Sequence, residues 1–294
     1  MIKYLVFGET IWDVYPDKCV IGGAPFNFSA HTALLGGDVY LVTGVGRDEL
    51  GDKALGYIKD YGIHDDFICR NDKATGRCVV ALDERGVPRY NVLTDTAYDN
   101  IVLSGSAAEK MRALRPDVLY FNTLAQRNAV SRSTLLGIID SVPFRHVFCD
   151  INIRPGCWSR ESLSLCMEKT TIVKISEEEA HFLTDCGLIA ESGGSFAESV
   201  HSAFPNLELL VYTMGAKGSI VYDFKNGTEV ASGEPEQVEV VSTVGAGDCY
   251  SASFVYSYLS GVPIRDAVKE ATERSNIVVA NTEAIPEEFL HKHN

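Results

Sequence analysis

One stretch near the end of the chain constrains the fold more than any other. Residues 237–259 read QVEVVSTVGAGDCYSASFVYSYL: a β-rich run, a turn at Gly245, Ala246 and Gly247, and an apolar segment at helical spacing. The first N–H groups of a helix have no hydrogen-bond partner within the helix, and the positive end of the helix dipole lies there. Amides in this layout can therefore bind a phosphate. Asp248 could then accept a proton from an attacking hydroxyl. The alternative is a plain helix start with glycines for tight packing.

Length and charge exclude several classes of protein. A chain of 294 residues fits one α/β domain, 1–294, and can bury roughly three quarters of its unfolded surface. The net charge of −14 argues against nucleic acid or an anionic membrane as partner. No apolar run reaches a membrane span, and MIKYLVFGET lacks the features of a signal peptide, so we expect a cytoplasmic protein. The eight cysteines include no C-x-x-C pair, which favours reduced, buried thiols.

The order of apolar patterns predicts the fold class. Strand patterns alternate with helical patterns, which indicates a doubly wound, mostly parallel sheet covered by helices on both faces. We predict strands at 2–7, 39–43, 118–121, 147–151, 171–175, 209–213 and 219–224, and helices at 26–35, 51–61, 133–139, 162–168, 177–183, 196–203 and 264–280. Residues 70–101 differ, because two β-like runs flank a hairpin-type connection at 83–88. They predict a small β lid over a pocket, or an edge hairpin with a structural role.

Polar residues near the first strand and first helix are candidates for binding a small molecule. Asp13 follows the first strand, and ligands of open α/β sheets collect past the carboxyl ends of strands. Asn27 stands in the first turn of a predicted helix, after Gly22 and Gly23, so its amide could face a polyol. A turn role for Asp13 and a capping role for Asn27 are the alternatives.

Further candidates follow later strands. Asp150, Asn152 and Arg154 alternate, so on an extended segment they would share one side and could grip a polar ligand; a polar sheet edge is the alternative. Lys174 precedes three acids at 177–179, which fit either dipole stabilisation or a hydrated Mg²⁺. The turn after Thr213 could admit phosphates or form a plain hairpin.

Several familiar site motifs are missing from the sequence. It contains no G-x-x-x-x-G-K-[ST], H-E-x-x-H or G-x-S-x-G, and Glu49 breaks a dinucleotide fingerprint after Gly44 and Gly46. A P-loop kinase, a zinc protease, an α/β-hydrolase and a nicotinamide dehydrogenase are therefore disfavoured.

Six segments in order resemble the ribokinase-like, or pfkB, family of carbohydrate kinases, and its fructokinases above all. They are IGGAPFNFSAHTALLGG, GVGRDELG, TGRCVVALDERGVPRY, DINIR, YTMGAKGS and STVGAGDCYSASF. The resemblance implies a ribokinase-like α/β domain with a β lid, formed here by about 12–21 and 70–100, that often serves in dimerisation. It also implies ATP-dependent phosphorylation of a sugar hydroxyl with Mg²⁺.

The resemblance also implies a role for each matching position. Asp248 is similar to the catalytic base, and the other implied catalytic residues are Gly245, Ala246 and Gly247 as the anion hole and Arg154. The implied substrate-binding residues are Asp13, Gly22, Gly23, Asn27, Asp150, Asn152 and Tyr90. The implied nucleotide-binding residues are Lys174, Thr213, Gly215, Gly218 and Asn276, and Glu179 is the implied magnesium residue.

Two positions depart from the family pattern. Ser242 stands where an Asp usually helps to bind a monovalent cation, so a requirement for K⁺ is doubtful. Ser176 replaces the Asn of the N-x-x-E motif, which weakens the case for the usual water network around Mg²⁺. The expected activity is transfer of the γ-phosphate of ATP to fructose. The open alternatives are another acceptor (ribose, 2-keto-3-deoxygluconate, a nucleoside or an aminoimidazole riboside) and a sugar-binding protein without catalysis.

Overall fold

A computed structural model describes residues 1–82, 88–190, 194–231 and 238–293 of the chain. Its strands are β1 (Lys3–Phe7), β2 (Ile11–Val14), β3 (Cys19–Gly22), β4 (Asp38–Val42), β5 (Gly44–Gly46), β6 (Cys69–Asn71), β7 (Gly76–Leu82), β8 (Pro88–Val92), β9 (Val118–Asn122), β10 (His146–Asp150), β11 (Ile172–Ser176), β12 (Leu209–Thr213), β13 (Ser219–Asp223) and β14 (Thr228–Ala231). Its helices are α1 (Ala24–Leu34), α2 (Glu49–Asp60), α3 (Ala107–Leu114), α4 (Ala129–Ser141), α5 (Arg160–Glu168), α6 (Glu177–Asp185), α7 (Phe196–Ala203), α8 (Ala246–Leu259) and α9 (Ile264–Val279).

The main sheet has eight strands in the order β14-β13-β12-β11-β10-β9-β1-β4. The pairs from β4 to β12 are parallel, whereas β13 and β14 add an antiparallel edge. Every residue of β9 and β10 is buried, as expected of central strands covered on both faces. The predicted doubly wound, mostly parallel sheet is confirmed.

The helices divide between the two faces of the sheet. Leu5 and Phe7 of β1 point into a core with α3 to α7, and the alternating Tyr4 and Val6 point into a second core with α1, α8 and α9. Helix α1 is buried from Ala24 to Thr32, because it is enclosed by the sheet and α8. None of the described helices is long and apolar enough to cross a membrane.

A second, four-stranded sheet has the order β3-β2-β7-β8. Strand β2 pairs antiparallel with β3 and parallel with β7, so the sheet joins residues from both regions predicted to form a lid. The turn predicted at 83–88 falls mainly at 83–87, which lies outside the described residues. Arg127 fixes the segment after β8, since its Nη2 donates to the Leu93 carbonyl at 2.6 Å and to Asp99 Oδ2 at 2.8 Å.

The strand expected before Gly245 does not form in the described residues 238–244, and that prediction was wrong. Residues 238–240 have no regular secondary structure, and Val240 and Val241 are 66% and 51% exposed. The Val241 amide instead donates to the Val279 carbonyl at the end of α9. The segment therefore lies against the C-terminal end of α9, and this tertiary contact overrides the β propensity of its valines.

Candidate active site

Two helix N-termini bring together the predicted base and a predicted sugar ligand. Asp248 lies in the first turn of α8 and Asn27 in the first turn of α1, and Asn27 Nδ2 donates to Asp248 Oδ2 at 2.8 Å. Burial raises the pKa of Asp248 to about 7; Asp150 adds to this, whereas the bond from Asn27 and the charges of Lys174 and Arg154 oppose it. A carboxyl that titrates near neutrality is well suited to general base catalysis.

The turn before Asp248 forms a cradle of amides that is exposed at Gly247. Gly245 caps α8 with φ at +80°, and a Cβ built on it would lie 2.5 Å from Ala284 Cβ, so only glycine fits. The amides of Gly247 and Asp248 fall in the first turn, where N–H groups have no partner within the helix. Gly247 is exposed, so this end of α8 can receive an anion.

A buried ion pair lies beside the cradle. Lys174 Nζ donates to both carboxylate oxygens of Asp150, at 2.9 and 3.0 Å, and Ser251 Oγ donates to Asp150 Oδ2 at 3.0 Å. Burial opposes the charge on Lys174, but Asp150 and Glu179 outweigh it and hold the lysine pKa above its ordinary value. A Cβ on Gly247 would lie 3.6 Å from Lys174 Nζ, so a fixed positive charge adjoins the amide turn.

Asp13, Gly22 and Gly23 lie where the small sheet meets α1. Asp13 is on β2, and a Cβ on Gly22 would lie 3.4 Å from its Oδ2. Burial raises the pKa of Asp13, whereas Arg154 and a bond with Cys78 oppose the increase. Gly23 caps α1 with φ at +103°, and a Cβ there would be 2.7 Å from the Glu9 carbonyl oxygen. Tyr90 is on β8, but its side chain lies outside the described residues.

The loop after β10 does not have the predicted extended form. The strand ends at Asp150, and Asn152 has φ at +45°, so Asp150, Asn152 and Arg154 do not alternate along one side. Asp150 is buried against Lys174, Asn152 is partly buried, and Arg154 is exposed. The positive charge of Arg154 nevertheless opposes the rise in pKa of Glu9, Asp13 and Asp248.

Sequence reasoning missed two buried polar residues behind the pocket. Glu9 Oε1 accepts from the Ala24 amide at 3.2 Å and from Asn122 Nδ2 at 2.8 Å, and its Oε2 has no partner among the described atoms. Burial raises the pKa of Glu9 to about 7, against its bonds and the Arg154 charge, and Asp248 adds to the rise. Glu9 lies two residues after β1 and Asn122 ends β9, and a position at the carboxyl end of a strand is the signal that singled out Asp13.

Of the predicted nucleotide positions, Lys174 adjoins the amide turn, and the others lie on β12, on the turn after it and on α9. Thr213 ends β12, Gly215 and Gly218 bracket a 3₁₀ turn, and Asn276 is half-buried on α9. The described residues record no hydrogen bond from these side chains to Asp248. Ser275, next to Asn276, donates to the Ala246 carbonyl at 3.1 Å, which links α9 to the amide turn.

Glu179 is bound to backbone amides rather than free. Its Oε2 accepts from Ser176 N at 2.8 Å, its Oε1 accepts from Ile153 N at 2.9 Å, and Ser176 Oγ accepts from the Glu179 amide, which forms a capping box. The part of the chain that is described holds no group of three His, Cys, Asp or Glu that could alone bind a metal. Both Glu179 oxygens accept from backbone amides, so this carboxylate would hold Mg²⁺ through water, and Mg²⁺ keeps several waters and uses one or two carboxylates with substrate phosphates.

Comparisons with known proteins agree with the fold and with the sequence resemblance. A model of the pfkB family carbohydrate kinases matches residues 3–289, nearly the whole chain. The chain therefore belongs to the pfkB family of carbohydrate kinases. It is a sugar kinase by family.

Several relatives are similar to the chain over most of its length. A fructokinase of Vibrio alginolyticus is 27% identical over 85% of this chain and 82% of the relative. A 5-dehydro-2-deoxygluconokinase of Bacillus subtilis is 25% identical over 90% of this chain and 83% of the relative. The crystal structure of a Vibrio cholerae fructokinase bound to fructose, ADP and calcium superposes with a TM-score of 0.81, at 24% identity, over 97% of this chain and 94% of that one.

Proposed function

We propose that this kinase transfers the γ-phosphoryl group of ATP to the 6-hydroxyl of fructose. The observation that carries the proposal is the Asp248 carboxylate, held by Asn27 at the start of α8 beside an exposed turn of amides. A hydroxyl near Asp248 would attack a phosphoryl group lying on that turn. Fructokinases among the similar proteins support fructose as the acceptor.

Each part of the site has a defined task in this reaction. Asp248 accepts the hydroxyl proton as the sugar oxygen attacks in line. The amides of Gly247 and Asp248 and the charge of Lys174 stabilise the negative charge on the phosphoryl oxygens, while the Ala246 amide donates to the Thr243 carbonyl at 3.4 Å. Asp13 and Asn27 hold sugar hydroxyls on the other flank.

Two further groups complete the proposal. The turn after Thr213 and the Asn276 face of α9 hold the nucleotide. Mg²⁺ would be held through water by Glu179 and by the phosphates, and it supplies neutralisation of phosphate charge. Ser242 Oγ accepts from Val244 N at 3.2 Å and offers no carboxylate, so we expect activity without added K⁺.

The small sheet is proposed as a lid and as a dimer surface. It carries Asp13 on β2, next to the proposed sugar site, and its closure over a bound sugar would exclude water from the transferred phosphate. The outer strands β3 and β8 are its open edges among the described residues. Open edges can pair with those of a second copy.

A kinase of an acidic keto sugar is the second candidate. It is favoured by the similarity to 5-dehydro-2-deoxygluconokinases and by the exposed Arg154 guanidinium, which could pair with a substrate carboxylate. A panel of fructose, ribose, nucleosides and keto-sugar acids, followed by ADP release, separates the acceptors. A kcat/KM for fructose below that for any other member refutes the fructose assignment.

Replacement of the base tests the mechanism. We expect Asp248→Asn to lower kcat by about 10² to 10⁴, the usual contribution of a general base, with sugar and ATP binding within about threefold of wild type. Calorimetric titration of both ligands is the control for binding. Full activity of the variant would remove Asp248 from its assigned role, and sugar binding by an inactive wild type would favour a non-catalytic protein.

A further inference from the structure

The amide turn is supported by a segment far away in the sequence. Ala284 packs directly against Gly245, since a Cβ built on this glycine would lie 2.5 Å from Ala284 Cβ and 3.2 Å from its carbonyl oxygen. Gly245 is the residue that caps α8 in the left-handed region. Its position therefore depends on where Ala284 is held.

One buried imidazole holds Ala284. His31 of α1 is fully buried, and its Nε2 lies 2.9 Å from the Ala284 carbonyl oxygen. A carbonyl only accepts, so Nε2 carries the hydrogen, while Nδ1 has no hydrogen-bond partner among the described atoms. Burial lowers the pKa of His31 to about 4 despite this bond, which keeps the ring neutral at physiological pH.

Aromatic packing fixes the imidazole and connects it to the apolar residues at the start of α8. The His31 ring meets the Phe289 ring edge to face at 5.6 Å, and the Arg274 guanidinium lies 4.2 Å from the centre of that ring. Phe289 shares an apolar cluster with Ala246 and Cys249 of the first turn of α8. The turn thus shares an apolar cluster with Phe289 and packs against Ala284.

Helix α1 supports both functional parts of the α8 terminus. Asn27 and His31 are four residues apart and lie on one face of the helix. Asn27 bonds to Asp248, the proposed base, and His31 bonds to the residue packed on Gly245. One rigid element therefore sets the base and the amide turn relative to each other.

We propose that His31 is a positioning residue that holds the amide turn in the geometry needed for phosphoryl transfer, through its hydrogen bond to Ala284. This inference rests on the proposed function, because it assigns the turn to the transferred phosphate. A displaced turn would weaken stabilisation in the transition state more than ground-state binding of sugar, so kcat should change and KM should not.

The test compares a variant that lacks the donor with one that retains it. His31→Leu fills the same space with an apolar side chain and removes the N–H donor. His31→Gln retains an N–H near the position of Nε2. We expect kcat of His31→Leu to fall at least tenfold with the sugar KM within about threefold, and His31→Gln to recover most of the loss. Hydrogen exchange at residues 245–249 should accelerate in His31→Leu alone.

Two controls separate positioning from general destabilisation. Val255→Ala opens a cavity in the buried part of α8, away from the turn, so it should lower Tm while kcat stays within twofold. Ala284→Gly removes the methyl group packed on Gly245 and keeps the backbone, so it should lower kcat even if His31→Leu fails to fold.

The outcomes that overturn the inference differ from those that overturn the proposed function. A kcat within twofold of wild type in both His31→Leu and Ala284→Gly refutes the positioning role, as does a loss in Val255→Ala equal to that in His31→Leu. A wild-type chain that phosphorylates no sugar refutes the proposed function, and this inference fails with it. Unchanged exchange at 245–249 in His31→Leu shows in either case that the bond does not hold the turn.

Discussion

Replacing Asn27 with Leu should move the pH dependence of catalysis upward. Asn27 Nδ2 donates to Asp248 Oδ2 at 2.8 Å, and a hydrogen bond to a charged group contributes about 1.5–3 kcal/mol. Because one pKa unit corresponds to about 1.4 kcal/mol, loss of this bond should raise the Asp248 pKa by about 1–2 units. The base must be ionised to accept a proton, so kcat/KM rises with pH through this pKa, from a midpoint near 7 in the wild type.

The choice of Leu matters for the size of the shift. Leu nearly matches Asn in shape and keeps water away from the carboxylate, so the full effect of the lost donor should appear. Asn27→Ala leaves space for water, which can replace the donor, and its midpoint should move less. Ser29→Ala on the same helix removes a bond to the Pro25 carbonyl at 2.7 Å and leaves Asp248 untouched, so its midpoint should not move.

The assay is kcat/KM for the preferred sugar from pH 5.5 to 9.5, measured by ADP release with the coupling enzymes in excess at every pH. The same series in a Glu9→Gln background leaves Asp248 as the one of these two carboxyls that titrates, since the pKa of Glu9 is also raised to about 7. Asn27→Leu and Asn27→Ala will also lose some activity, because Asn27 is a proposed sugar ligand. The midpoint of the pH profile does not depend on the maximum value of kcat/KM. A midpoint in Asn27→Leu within 0.3 of a unit of the wild type, on the order of 0.4 kcal/mol, would refute the reasoning.

Two further predictions concern buried charge. Lys174→Met should lower the free energy of unfolding by about 3–5 kcal/mol, because it leaves Asp150 buried without its counter-ion. The double variant that also carries Asp150→Leu should recover much of that loss. Denaturant titrations of wild type, the single variant and the double variant check this, and equal losses in the two variants would contradict it. The folded-state pKa of Glu9 is raised from 4.5 to about 7, so the folded state binds more protons between these values and wild-type stability should fall as pH rises through this window. Glu9→Gln should reduce this pH-dependent loss of stability by about 1–3 kcal/mol, so that Tm changes less between pH 5 and 8 than in the wild type. A dependence of Tm on pH equal to that of the wild type would show that Glu9 ionises freely in the folded protein.

The parts of the fold that follow from local pattern were predictable. The run Tyr4–Phe7 is apolar and buried on both faces, so the position of this strand could be predicted from the sequence pattern alone. Helix α9 could be predicted equally well, because its apolar residues recur at helical spacing. The β-rich run of Val238, Val240 and Val241 shows the limit, since β propensity does not reveal whether a neighbouring strand is there to pair.

The site was predictable where one motif contained the chemistry and unpredictable where distant segments met. Asp248 and the amide turn lie within one stretch, so strand, turn and helix rules single them out. Glu9 and Asn122 are 113 residues apart, and only the parallel pairing of β1 with β9 brings them together. The interpretation of Asp150, Asn152 and Arg154 was wrong because period-two alternation holds only while the strand continues.

The pairing of β2 with β7 has a consequence for how the chain folds. Ile11 pairs with Gly76, and the residues between them contribute α1, β4 and α2 to the rest of the molecule. Until Gly76 and its neighbours arrive, β2 and β3 are a two-stranded hairpin, which is at best marginally stable in water. Contacts of such long sequence separation form slowly, so the small sheet should complete after the central strands have assembled. The hairpin ends at Gly22 and β7 begins at Gly76, so during synthesis on the ribosome more than fifty further residues must be added before the hairpin gains a parallel neighbour.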